Sequence, residues 1–357
     1  MIARSRLLLA CALLLLLPES PSQAQSIKPP IRGLVSMGAY RFVWAGGDPV
    51  NTLAPLNAQP GIFGGLVVIA TWSQLQPTPN SIIGANNPID HALGLVRGYN
   101  AQNPQKPLGV RLRVWGGFEA PEWAKHIGGP PIQTVHNNRP RTVGRFWSPA
   151  YRQAWAGLQE QLAARFDRRS LIQEVSVTSC MSFTAEPFFV PMDDTVLPQL
   201  EAAGFNEGNH KRCLRNAVSD YAPWQRSRLV LAVNPLRSQP LPVPDDPGFT
   251  MRVMHRCREA IGARCVFDNH DLNAKLSPSL IPIYNYIKQL GPEIVFQTAN
   301  ATPKNFDGTI RLGALTYGAS AIELYQDIAG KGFPVVPNAQ LIRWANLIEK
   351  NPAGSTR

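Results

Sequence analysis

Residues 65–77 read GLVVIATWSQLQP, and the first seven of them point to the class of fold. Gly65–Thr71 is a continuous apolar run, too short for a helix and without the alternation of a strand that has one wet face. Such a run reads as a strand buried on both faces of a parallel sheet. The residues after it, Trp72-Ser73-Gln74-Leu75-Gln76-Pro77, are polar and aromatic.

Short β-rich runs recur on both sides of this one: Arg32–Met37, Gly109–Val114, Ile172–Ser179, Arg228–Val233, Arg264–Phe267, Glu293–Phe296 and Ser320–Leu324. Helical patterns lie between them. Pro88–Tyr99 carries Ile89, Leu93 and Val96 at helical spacing, and Ser148–Phe166 opens on Ser-Pro with Tyr151, Trp155, Leu158 and Leu162 on one face. Met251–Ile261, Pro278–Leu290 and Asn338–Ile348 read the same way. Eight strands alternating with helices predict an α/β fold, a closed barrel or a doubly wound sheet. No glycine-rich phosphate loop follows the first strand, which disfavours the nucleotide-binding version. The expectation is a (β/α)8 TIM barrel with long βα loops, a single domain over 25–357.

Residues 1–24 read as a signal peptide. Arg4 and Arg6 precede the apolar run Leu7–Leu17, and Ser22-Gln23-Ala24 offers a small-x-small cleavage site. The run is short for a membrane anchor, and Leu9-Ala10-Cys11 is only a loose lipoprotein box. Export places the mature chain outside the cell or in a periplasm, with no membrane span. Four cysteines remain after cleavage, Cys180, Cys213, Cys257 and Cys265. An even number in an exported chain suggests disulfides, with Cys257–Cys265 and Cys180–Cys213 the expected pairs and buried free thiols the alternative. The formal charge of +11 suits contact with acidic polysaccharide, but it is spread out and forms no nucleic-acid signature. His126, His136, His210, His255 and His270 show no ligand spacing, so no metal or other cofactor is expected. Asn300-Ala301-Thr302 matches a glycosylation sequon. The sequence does not set an oligomeric state.

Barrel active sites form where strands end and βα loops begin. The strand ends here hold amides, carboxylates and indoles: Trp72, Trp115-Gly116-Gly117 with Ala120-Pro121-Glu122-Trp123, Glu186, Asn234, Asp268-Asn269-His270-Asp271, Gln297, and Glu323-Leu324-Tyr325. With Gln76-Pro77 ahead of Ile89-Asp90, and the strand Arg111-Leu112-Arg113-Val114, this pattern resembles the clan A glycoside hydrolases, which include β-galactosidases, cellulases and β-xylosidases. The resemblance implies cleavage of glycosidic bonds in an oligo- or polysaccharide. It departs from the clan at two positions. Ala185, not Asn, precedes Glu186, and Gln297 stands where the clan's nucleophile Glu ends the seventh strand. An amide cannot act as a carboxylate nucleophile, so the clan's retaining mechanism does not carry over directly; inversion is favoured, and both outcomes stay open.

Glycoside hydrolysis needs two carboxyls. Glu186 is the expected proton donor, since Phe183, Pro187, Phe188 and Phe189 would shield it from water; the alternative is a surface-loop Glu. Glu323 is the expected second carboxylate, because a Glu inside an apolar strand needs a reason. Its alternative is an ion pair with Arg111 or Arg113. Asp271 is the reserve, with Asp268 behind it; a turn role competes for both. Trp72 and Trp115 offer faces for sugar rings or core packing, as does Trp123. Asn234, Asn269, His270, Gln297 and Tyr325 complete the expected substrate contacts. Alternative readings are a barrel that binds saccharide without cleaving it, and a lyase or transglycosylase.

Overall fold

The computed structural model describes residues 26–37, 56, 60–136, 139–182, 185–188, 196–237, 245–300, 303–325 and 336–350. The expected signal segment, Phe183, Phe189, Ala301-Thr302 and the tail 351–357 lie outside the described residues.

All eight expected strands form: β1 (Gly33–Ser36), β2 (Phe63–Thr71), β3 (Gly109–Trp115), β6 (Ile172–Ser176), β7 (Arg228–Ala232), β8 (Cys265–Asp268), β9 (Val295–Gln297) and β10 (Ala321–Leu324). Two further strands, β4 (Ile132–His136) and β5 (Arg139–Val143), make an antiparallel hairpin inside the β3 loop. The eight run parallel in the order β8-β7-β6-β3-β2-β1-β10-β9. Two isolated parallel bridges, Phe267↔Ile294 and Leu272↔Thr298, bring the ends of this sheet together, with Gln297 N–H donating to the Asn269 carbonyl at 2.9 Å. The result is a nearly closed (β/α)8 barrel.

Helices cover the outside. The longest, α4 (Pro149–Phe166), starts where Ser148 Oγ accepts from Tyr151 N–H and Pro149 supplies a pre-set φ. It buries Tyr151, Trp155, Leu158, Leu162 and Phe166, the face that its sequence spacing predicts. Odd and even strand positions divide the apolar residues. Leu66, Val68, Leu112, Leu229 and Phe296 pack outward among the helices, while Val35, Val67, Ile69, Val230, Val266, Val295 and Ala321 form a second cluster inside the barrel. Both faces of each strand are therefore dry, which is why the runs are continuous.

Both disulfides are formed, Cys180–Cys213 and Cys257–Cys265. Among the described residues, no helix is long and apolar enough to cross a membrane.

Candidate active site at the barrel mouth

The barrel interior holds an ionic cluster where Val, Ile and Leu are usual. On β3, Arg111 and Arg113 both point inward and are buried. Arg111 donates through Nε to Glu174 at 2.8 Å and through Nη1 to Glu323 at 3.1 Å. Arg113 grips Glu323 with two nitrogens, at 2.9 and 2.8 Å. Burial opposes the charge on Arg111, but Glu174, Asp268 and Glu323 outweigh it and hold the guanidinium more firmly protonated than usual. Glu323 thus occupies the ion-pair position given above as its alternative. It is fully buried, and both of its oxygens are engaged by arginines.

Above this cluster the charge continues toward the mouth. Asp268 ends β8 and lies 3.8 Å from Arg111 and 3.1 Å from His270 Nε2. Burial alone would raise the Asp268 carboxyl, but His270 and the two arginines hold it below the ordinary value. Burial likewise opposes protonation of His270, and Asp268 and Glu186 reverse the balance, so its pKa stands above the usual histidine value. The other ring nitrogen, Nδ1, is 3.9 Å from Glu186 Oε2. Two arginines face three acids here, Glu174, Asp268 and Glu323, and this surplus of negative charge favours the protonated form of His270.

Glu186 sits half-buried beyond β6, with Oε1 accepting from Asn234 Nδ2 at 2.7 Å. Asn234 follows β7, and its own Oδ1 accepts from Asn269 at 2.8 Å. Asn269 is fully buried and binds four partners. Its Nδ2 donates to Asn234 and to the Val233 carbonyl, while its Oδ1 accepts from Tyr284 Oη and from Asp271 N–H. Glu186, Asn234 and Asp271 share the wall of an open pocket of about 450 Å³, with Pro235, Arg237, Asp245, Ser277, Ser279 and Leu280. Loss of water, and then the charge of Glu186, push the Asp271 carboxyl above its ordinary value.

The other expected site residues sit deeper. Trp72 is fully enclosed, edge-on to Trp123, Tyr151 and Trp155 within 5.4 Å, with its indole N–H on Gln76 Oε1. This is the core-packing position. Trp115 ends β3 in the interior cluster, against which Tyr325 packs. Gln297 is nearly buried and spans Arg113 Nη1 at 3.5 Å and Tyr325 Oη at 3.4 Å. The sequence reading missed Glu174, Arg237, Asp245 and Tyr284. Glu174 was findable, as a second charge inside an apolar strand; the others lie in loops and a helix with no local signal. Among the described residues, no group of three or more His, Cys, Asp or Glu side chains is arranged to hold a metal ion.

No protein-family model matches the chain, and no curated protein sequence matches it. Solved structures do. Endo-glycoceramidase II from Rhodococcus sp., in complex with a five-membered iminocyclitol, aligns with a TM-score of 0.53 at 14% identity, over 90% of this chain and 80% of that one. The same enzyme bound to ganglioside GM3 aligns at 0.51 and 13% identity, over 88% and 78%. At such identities the likeness is one of fold alone, the (β/α)8 barrel.

Proposed function

We propose that this protein is an exported glycoside hydrolase whose working carboxyls are Glu186 and Asp271. The observation that carries the reading is that both line one open pocket at the mouth of a barrel of this type, where such enzymes keep their chemistry. Glu323 is assigned a different task. Enclosed between Arg111 and Arg113, it balances their charge and steadies the floor beneath Asp268 and His270.

The two carboxyls divide the work by environment. Asp271 keeps its proton to higher pH than an ordinary aspartate, so it is the donor to the leaving oxygen. Glu186 accepts from Asn234 and faces the His270 imidazole; it acts as the carboxylate, activating water or attacking carbon. This exchanges the role expected for Glu186 on sequence grounds. The pair separates the needs of bond cleavage: a proton for the departing oxygen and electron density for the anomeric carbon. The substrate class is an oligo- or polysaccharide; the fold neighbours include an enzyme captured with a ganglioside. The two disulfides accord with export, and residues 1–24 supply the signal.

The test is hydrolysis of a panel of 4-nitrophenyl and 2,4-dinitrophenyl glycosides by wild type, Glu186→Gln and Asp271→Asn. Dinitrophenolate leaves without protonation. Asp271→Asn should therefore keep turnover of dinitrophenyl substrates and lose it on poorer leaving groups, while Glu186→Gln loses both. The opposite pattern would return the donor role to Glu186. A second reading, a saccharide-binding barrel without hydrolysis, is favoured by one observation: Gln297, an amide, ends β9. Binding of one glycan with no turnover of any would support it.

A further inference from the structure

We propose that the helix α6 (Glu207–Asn216) is the positioning element for Glu186, with His210 and Cys213 holding the backbone on either side of that carboxylate. The inference rests on Glu186 being a working group as assigned above. Cys213 and His210 are three residues apart, so they share the buried face of α6. Cys213 is bonded to Cys180, which follows β6 and precedes Glu186. His210 Nε2 donates to the carbonyl of Pro187, immediately after Glu186, at 3.2 Å. One turn of one helix therefore grips the chain before and after the carboxylate.

The local sequence makes that grip effective. Proline fixes φ at Pro187 and restricts Glu186, the residue before it, to extended backbone. Anchoring the Pro187 carbonyl then fixes the plane of the next peptide. On the far side Phe188 is buried in the outer core, and on the near side Ala185 packs inside the barrel. His210 is itself enclosed, with ring centroids 6.2 Å from Phe146 and 5.6 Å from Phe205. An imidazole in an aromatic pocket is a costly choice for packing alone. Its N–H reaches a carbonyl that a phenyl ring would leave unmet. The Glu186 side chain is then aimed by Asn234, so backbone and side chain are set by different elements.

The test compares wild type with His210→Phe, His210→Gln and the double variant Cys180→Ser/Cys213→Ser. His210→Phe keeps the aromatic volume and deletes the donor; His210→Gln restores an N–H of similar reach. Two readouts are taken: kcat and KM on the 4-nitrophenyl glycoside that wild type turns over, and amide hydrogen exchange in peptides covering 185–188. His210→Phe and the double cysteine variant should lose about tenfold to hundredfold in kcat, the scale of a 1 Å misplacement, with KM within about twofold. Exchange should rise in 185–188 and stay unchanged in the helix Asn338–Glu349, which packs against β1 on another side of the barrel. His210→Gln should recover most of kcat. Unchanged kcat with unchanged exchange at 185–188 overturns the proposal, and so does exchange rising equally everywhere, which marks a general loss of stability. If wild type cleaves no glycoside, the reading of function falls, and the exchange arm alone decides whether α6 holds this segment.

Discussion

The amide nitrogen of Asn269 lies 2.8 Å from the amide oxygen of Asn234, and this contact leaves Asn234 only its nitrogen to present to Glu186. Asn269 in turn is oriented by Tyr284 and holds the backbone of Asp271. One buried amide thus serves the elements that carry both pocket carboxyls. Asn269→Ala should cost about 2–4 kcal/mol in thermal or urea unfolding, because it leaves several buried groups unmet at about 1–3 kcal/mol each. Tyr284→Phe should cost less, about 1 kcal/mol, since a single bond is lost. Equal, negligible effects in both would mean the network does not order the site.

Glu323→Gln and Glu186→Gln should separate structure from chemistry. The first leaves Arg111 and Arg113 facing an amide inside the barrel, and removing one partner of a buried ion pair costs about 3–5 kcal/mol. The second alters a half-buried pocket group and should change Tm little while ending hydrolysis. A stable Glu323→Gln protein that has lost only activity would restore Glu323 to the chemistry.

Stability should depend on pH through His210. Burial lowers its pKa to about 4 from the usual 6.5, with the Pro187 carbonyl and Glu207 only partly compensating. Between those values the unfolded chain binds the proton and the folded chain does not, so stability is full above pH 6.5 and is lost as pH falls toward 4. The loss is about 3 kcal/mol over that window. Unfolding measured from pH 7 to pH 4 should show it in wild type, and His210→Phe should show a shallower slope. A parallel slope in the variant would refute the assignment.

The two disulfides should differ in worth. Cys180–Cys213 closes a separation of 33 residues and Cys257–Cys265 one of 8. Loop entropy puts their contributions at about 3.7 and about 2.5 kcal/mol. Paired serine variants should unfold in that order. Mass spectrometry of exported protein should find no alkylatable thiol without reduction and an N-terminus near Gln25.

The sequence determined the barrel because its signals are local. A run such as Gly65–Thr71 carries its own burial pattern, and the apolar face of Ser148–Phe166 is spaced along one helix, so each element can be read without its neighbours. The eight strands follow from such signals, while the cysteine pairs rest on the even count of cysteines in an exported chain. The β4–β5 hairpin did not, because Arg139-Pro140-Arg141 interrupts any strand pattern and forms only as an insertion within a loop. The site is non-local. Glu186, Asn234 and Asp271 belong to three successive βα loops, and what each carboxyl does depends on charges from other strands. Sequence gave Glu323 two readings, an acid for catalysis or a partner for arginine. Only the closing of the barrel, which brings the side chains of Arg113 on β3 and Glu323 on β10 within 3 Å of each other, decides where that charge is held, because an ion pair across 210 residues exists only once the chain between them has folded.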